Sequence, residues 1–233
     1  MQQYYPEQTI NLPGGMVCFA PIADSPLPGA LPVLKNGFIT FGSFNNSSKI
    51  SDKVLSMWAD VLHRNSKSRF VLKLFHGSDD LIRNTYIERF AKKGIDSDRI
   101  DVVGYLPYYK HLEVLSQVDM VLDTFPYNGC VSTMESLWMG VPVVTLCGET
   151  LVSRVGATIL KRIGMDMFVA HNEQEYVDKA CAFALQVEHL GMIRGALRKL
   201  VLNSPLCDCS RYAVEMQQAF RNMWQQWCAS VNH

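Results

Sequence analysis

Residues able to handle a phosphorylated ligand are gathered in three short segments of the sequence. The first is Gly42-Ser43-Phe44-Asn45-Asn46-Ser47-Ser48-Lys49. Its small side chains let backbone approach a ligand, and Lys49 offers a point charge for a phosphate. A solvated turn leading into a capped helix would account for the same residues. The spacing is not G-x-x-x-x-G-K-S/T, so this is no Walker loop. The second segment is Asp123-Thr124-Phe125-Pro126-Tyr127-Asn128-Gly129-Cys130-Val131-Ser132-Thr133-Met134-Glu135. Free N–H groups of Cys130, Val131, Ser132 and Thr133 at a helix start would make an anion site, reinforced by the helix dipole. The hydroxyls of Ser132 and Thr133 either add bonds to that anion or cap the helix. Glu135, one turn on, suits a ribose diol by analogy with the acidic residue of dinucleotide folds; it is equally an ordinary first-turn glutamate. The third segment is Leu106-Pro107-Tyr108-Tyr109-Lys110-His111. Rings beside a phosphate site can stack on a base, but a lone histidine is more often structural, so His111 gains weight only from its neighbours.

These segments need elements to hold them. Short apolar runs at 38–41, 70–74, 100–103, 120–122 and 141–146, with a weaker one at 167–169, have the length and β-branched content of strands buried on both faces. Amphipathic stretches lie between them. Ser51 can cap a helix whose apolar face is Val54, Leu55, Trp58, Val61 and Leu62. Residues 79–93 read the same way, ending at Gly94, and further helices are expected over 109–117, 132–139, 153–163 and 173–188. This alternation specifies an α/β fold with a doubly wound parallel sheet of the Rossmann-like kind. In such sheets ligands bind beyond the carboxyl ends of the strands, and each of the three segments follows a predicted strand. The absence of G-x-G-x-x-G after the first strand argues against a dehydrogenase.

The two ends differ from the middle. Six of the ten prolines fall in residues 1–36, which read as an irregular arm connecting to another lobe and packed on a surface through Met16, Val17, Phe19 and Ile22. Residues 37–203 form the binding domain. Helices over 189–203 and 210–229 follow without an intervening strand, and 204–233 is expected to pack on the domain or on the other lobe. The last helix carries Tyr212, Met216, Phe220, Met223, Trp224 and Trp227 on one stripe.

Composition narrows the partners. The 233 residues include 22 Lys and Arg against 22 Asp and Glu. This balance gives no electrostatic argument for nucleic acid or membrane. No apolar run approaches the roughly 18 residues of a membrane span, and the N-terminus lacks a signal-peptide pattern. The seven cysteines are scattered, and Cys207 with Cys209 is poor zinc spacing, so they read as free thiols in a reducing cytoplasm.

Taken together, Phe41 to Ile50, Leu122 to Gly129 and Leu137 to Leu146 resemble the C-terminal catalytic lobe of the O-GlcNAc transferase family, including its bacterial members with tetratricopeptide repeats. Ser153-Arg154-Val155-Gly156 and Ser204-Pro205-Leu206 fit as well, and the match runs from about Tyr4 to Trp227. The resemblance implies the C-terminal lobe of a GT-B enzyme that moves N-acetylglucosamine from its UDP donor to Ser or Thr of proteins. Carried over by position, Lys49 holds the diphosphate and stabilises the leaving group, with Asn46 close by. The helix start at 131–133 binds phosphate, His111 stacks near the uracil, Leu106 meets the base through its backbone, and Glu135 holds the ribose. No cofactor and no metal is implied, and the protein acceptor is engaged through another lobe and the repeats, so the isolated chain is expected to be inactive.

Three departures from the family pattern bear on the donor. Val131 stands where a threonine is common, Glu135 where some members have aspartate, and Tyr108 where animal members have a lysine. Related branches use GDP-fucose or UDP-glucose, and a non-catalytic scaffold that has lost its ligand is the alternative from another class.

Overall fold

The computed structural model describes residues 2–231. Six strands are present: β1 (Thr40–Ser43), β2 (Arg69–Lys73), β3 (Ile100–Val103), β4 (Met120–Leu122), β5 (Val143–Leu146) and β6 (Val169–Ala170). All pair in parallel, in the order β3-β2-β1-β4-β5-β6. The expected α/β doubly wound sheet is therefore the observed one. Phe41 pairs with Phe70 on one side and with Met120 on the other, so β1 is central and the chain reverses direction of growth between β1 and β4. Every residue of β1, β4 and β5 is buried, as strands covered on both faces by helices must be.

The helices are α1 (Val33–Asn36), α2 (Asp52–Arg64), α3 (Asp80–Ala91), α4 (Tyr108–Ser116), α5 (Val131–Trp138), α6 (Val155–Arg162), α7 (Glu173–Ala184), α8 (Val187–Leu202) and α9 (Cys209–Val231). In α2 the Ser51 side chain accepts from Val54 N at 3.3 Å, and Val54, Leu55, Trp58, Val61 and Leu62 are buried together. Asp79 caps α3, accepting from Leu81 N at 2.8 Å. The turn α1 lies inside the segment read as irregular. Pro32 fixes φ at −56° at its start, and Gly37 closes it in the left-handed conformation, φ +75°.

The arm before β1 packs along the domain. Val17 and Leu31 are buried, Phe19 N donates to Leu206 O at 2.7 Å, and Arg194 of α8 binds the arm at Gly29 O at 2.9 Å. Arg194 is itself buried and also donates to Val118 O at 2.9 Å and to Ser116 O, which joins the arm and α8 to the turn before β4. Along the stripe of α9, a 23-residue helix, Tyr212, Met216 and Met223 are half-buried, whereas Phe220, Trp224 and Trp227 are exposed. Among the described residues no helix is long and apolar enough to cross a membrane.

Candidate functional site

At the carboxyl ends of β1, β2, β3 and β4 lies an open cleft of about 490 Å³. Its wall includes Asn46, Lys49, Leu106, His111, Cys130, Val131, Ser132 and Glu135, so most of the residues singled out in the sequence meet there. Thr133 does not. Its side chain is 2 % exposed and lies beneath the surface of the cleft, leaving only its backbone at the helix start.

Each wall is built by a local device. After β1, Asn46 accepts from Ser48 N at 3.0 Å, which closes a tight turn over Ser47–Lys49 and aims Lys49 across the cleft. The Lys49 ammonium donates to Asn128 O at 2.9 Å and stands 3.9 Å from the centre of the Tyr127 ring. Partial burial pushes its pKa down, and the nearby Asp123 charge opposes that shift. Lys49 therefore presents a positioned, partly desolvated cation at the cleft floor.

The second wall is the start of α5. No side chain caps this helix, and the N–H groups of its first turn have no acceptor among the described residues. The hydroxyl of Ser132 is turned to Asn45 Oδ1 at 2.9 Å and so does not cap the helix. Unsatisfied N–H groups at a dipole's positive end constitute an anion site. Gly129 is required just before it. A Cβ there would lie 2.6 Å from Ser132 Oγ and 2.9 Å from Asn45 Oδ1.

The third wall brings α4 against α5. His111 Nε2 lies 3.1 Å from Glu135 Oε2, and both side chains are largely buried. A carboxylate can only accept, so Nε2 donates and the imidazole plane is fixed. The edge of His111 meets Phe44, with ring centres 5.6 Å apart, and its Nδ1 is buried without a partner. Tyr108 flanks the same pair; burial first, and then the Glu135 charge, push its phenol pKa upward.

Beneath the cleft is a residue given no role in the sequence reading. Asp123 is buried at the carboxyl end of β4. Its Oδ1 accepts from Gly129 N at 2.7 Å, Thr124 N at 2.8 Å and Asn45 Nδ2 at 3.2 Å, and its Oδ2 accepts from Thr145 at 2.7 Å. One carboxylate thus ties the loop after β1, the turn before α5 and β5 together. Burial pushes its pKa up to about 6, against the opposing pull of those bonds. Lys73 and Tyr105 also line the cleft unanticipated. The signal for Lys73 and Asp123 was available: each is a charged residue closing or just following an apolar strand at its ligand-binding end. Among the described residues no group of His, Cys, Asp or Glu side chains is placed to hold a metal ion.

A parallel sheet with a polar cleft over its switch point, furnished with an ammonium, an open helix start, a carboxylate and ring edges, defines an α/β domain of the Rossmann-like class. The model of glycosyl transferase family 41 matches residues 31–216, and the chain belongs to that family. It is 38% identical over 228 residues to a probable UDP-N-acetylglucosamine–peptide N-acetylglucosaminyltransferase, SPINDLY, of Petunia hybrida, covering 97% of this chain and 24% of that protein. The corresponding protein of Arabidopsis thaliana is 39% identical over 223 residues, with 95% of this chain and 24% of the relative covered. A solved structure of a mutant O-GlcNAc transferase from Thermobaculum terrenum superposes with a TM-score of 0.89 at 30% identity, covering 98% of this chain and 43% of that one. The chain therefore spans about a quarter of the length of these curated relatives.

Proposed function

We propose that the chain is the donor-binding lobe of a glycosyltransferase that moves N-acetylglucosamine from UDP-GlcNAc to Ser or Thr of proteins. The convergence of Asn46, Lys49, Leu106, His111, Glu135 and the open start of α5 on one cleft carries this reading. Leu106 and His111 take the base, Glu135 the ribose, and Lys49 with the N–H groups of 130–133 the diphosphate. His111 occupies only one oxygen of Glu135, which leaves Oε1 for a diol.

The chemistry follows from charge. As the bond between the anomeric carbon and the phosphate oxygen breaks, negative charge grows on the departing UDP. A fixed cation and a helix dipole already aimed at that position stabilise the charge without reorganising. The names of the relatives support a UDP-N-acetylglucosamine donor and a peptide acceptor. The acceptor is held by protein outside this chain, and the chain alone binds donor without transferring sugar.

Titration calorimetry with UDP and then GDP tests the reading. UDP-selective binding that weakens in Glu135→Gln supports it. GDP preference would replace the donor by a GDP-sugar, and binding of neither would overturn the donor site in this chain. Glycosylation of protein by the purified chain would overturn the division of labour.

A further inference from the structure

The arm and the start of α9 meet along a seam remote from the cleft residues in sequence. Phe19 N donates to Leu206 O at 2.7 Å, Tyr212 reaches Met16 O at 3.4 Å, and Gly14 N donates to Glu215 at 2.7 Å. Between these contacts lie two thiols, Cys18 on the arm and Cys209 at the first residue of α9, with sulfurs 3.4 Å apart although 191 residues separate them. No other pair of sulfurs among the described residues is in hydrogen-bonded contact. A disulfide has an S–S bond of about 2.05 Å, so closure needs the sulfurs to approach by roughly 1.4 Å.

We propose that Cys18 and Cys209 form a thiol–disulfide exchange site that takes low-molecular-weight disulfides and closes into an internal bond tying the arm to α9. The proposal is independent of the donor reading. Cys209 is exposed and Cys18 half-buried, so an incoming disulfide meets Cys209 first. The Cys209 thiolate attacks one sulfur of the small disulfide, forming a mixed disulfide and releasing one small thiolate. Cys18 then gives up its proton and attacks Cys209 Sγ, expelling the second small thiolate. Two cysteine thiols are oxidised and one small disulfide is reduced to two thiols. Burial, and then its contact with Cys209, push the Cys18 thiol up to about 11, so it is largely protonated at neutral pH and leaves the first attack to Cys209. The seam on either side holds the pair together, so the second step competes well with attack by a free thiol.

Cys207 is the natural competitor, two residues before Cys209. Its side chain packs against the hydrophobic core, and burial first, then the nearby Cys209, pushes its thiol upward.

The test equilibrates the full purified chain with oxidised and reduced glutathione, quenches with acid and maps peptides without reduction. Trypsin together with a protease cutting before aspartate places Cys18, Cys207 and Cys209 in three separate peptides, because Asp208 lies between the last two. The expected result is loss of two of the seven thiols and one joined pair, Cys18 with Cys209. The link persists in Cys207→Ser and disappears in Cys18→Ser and Cys209→Ser. Trypsin cleavage at the exposed Lys35 then releases the arm from reduced but not from oxidised protein on a non-reducing gel. A Cys207–Cys209 link would overturn the proposal, as would mixed disulfides or intermolecular dimers without an internal bond.

Discussion

Replacing Asp123 by asparagine is predicted to stabilise the protein at neutral pH, against the usual consequence of disturbing a buried network. The carboxyl group is buried, and its pKa is raised from 3.8 to about 6. At about 1.4 kcal/mol per pH unit, this difference corresponds to about 3 kcal/mol. The sign follows from proton binding. Between the unfolded and folded pKa values the folded state holds more protons than the unfolded state, so stability falls as pH rises through that window. The contribution is fully present below 3.8 and is lost once pH passes about 6. Asparagine cannot ionise and imitates the protonated acid. Its carbonyl keeps the bonds from Gly129, Thr124 and Asn45, and its amide donates to the Thr145 hydroxyl, which rotates to accept.

The assay is thermal or urea unfolding of both proteins across roughly pH 4 to 8, and the quantity of interest is their difference. Asn minus Asp should be near zero or slightly unfavourable at the acid end. It should climb by about 3 kcal/mol towards neutral pH, or on the order of 6–12 °C in Tm for a domain of this size. A difference independent of pH, or one that turns against asparagine as pH rises, would refute a buried Asp123 whose ionisation costs stability.

Lys49→Ala should weaken UDP by roughly 10–100-fold in calorimetry, the value of a charge-assisted contact, with little change in Tm; unchanged affinity would favour a scaffold that has lost its ligand. Gly129→Ala forces a Cβ to within 2.6 Å of Ser132 Oγ, so it should cost about 1–3 kcal/mol of stability and reduce UDP affinity, both measurable on one sample. Arg194→Met leaves the carbonyls of Gly29, Val118 and Ser116 without their donor. It should cost about 3–5 kcal/mol in urea unfolding while leaving UDP affinity of the folded protein unchanged.

Six strands and most of the cleft wall were legible in the sequence because they rest on local signals. Runs such as Val143–Leu146 are apolar throughout because both faces are covered, and Ser51 and Asp79 announce helices through their own caps. What was hidden depends on which strands become neighbours. Asn45 and Thr145 meet Asp123 only because β1 and β5 flank β4. The His111–Glu135 pair exists because α4 lies beside α5, and the inward turn of Thr133 depends on a rotation that periodicity over eight residues does not fix. Exposure of the α9 aromatics was hidden for a different reason: a hydrophobic stripe specifies a need for cover, not what supplies it.

Asp123 shows what such hidden residues are for. A neutral amide could make the same bonds without the cost of a buried charge, so the fold alone gives no reason for a carboxylate at the end of β4. The cleft supplies one. Lys49 is partly desolvated, and the Asp123 charge helps keep it protonated when no anion is bound. The same carboxylate holds Gly129 N and Asn45, the two groups that shape the open start of α5. A diphosphate entering this site would take over as the counter-ion of Lys49 and raise the pKa of Asp123 further. Binding at neutral pH should then draw a proton into the protein, seen as a dependence of the calorimetric heat on the ionisation enthalpy of the buffer. Stability is surrendered at the residue where the sheet, the turn before α5 and the cation are coupled. A departure from the most stable choice is expected there if binding rather than folding set the residue.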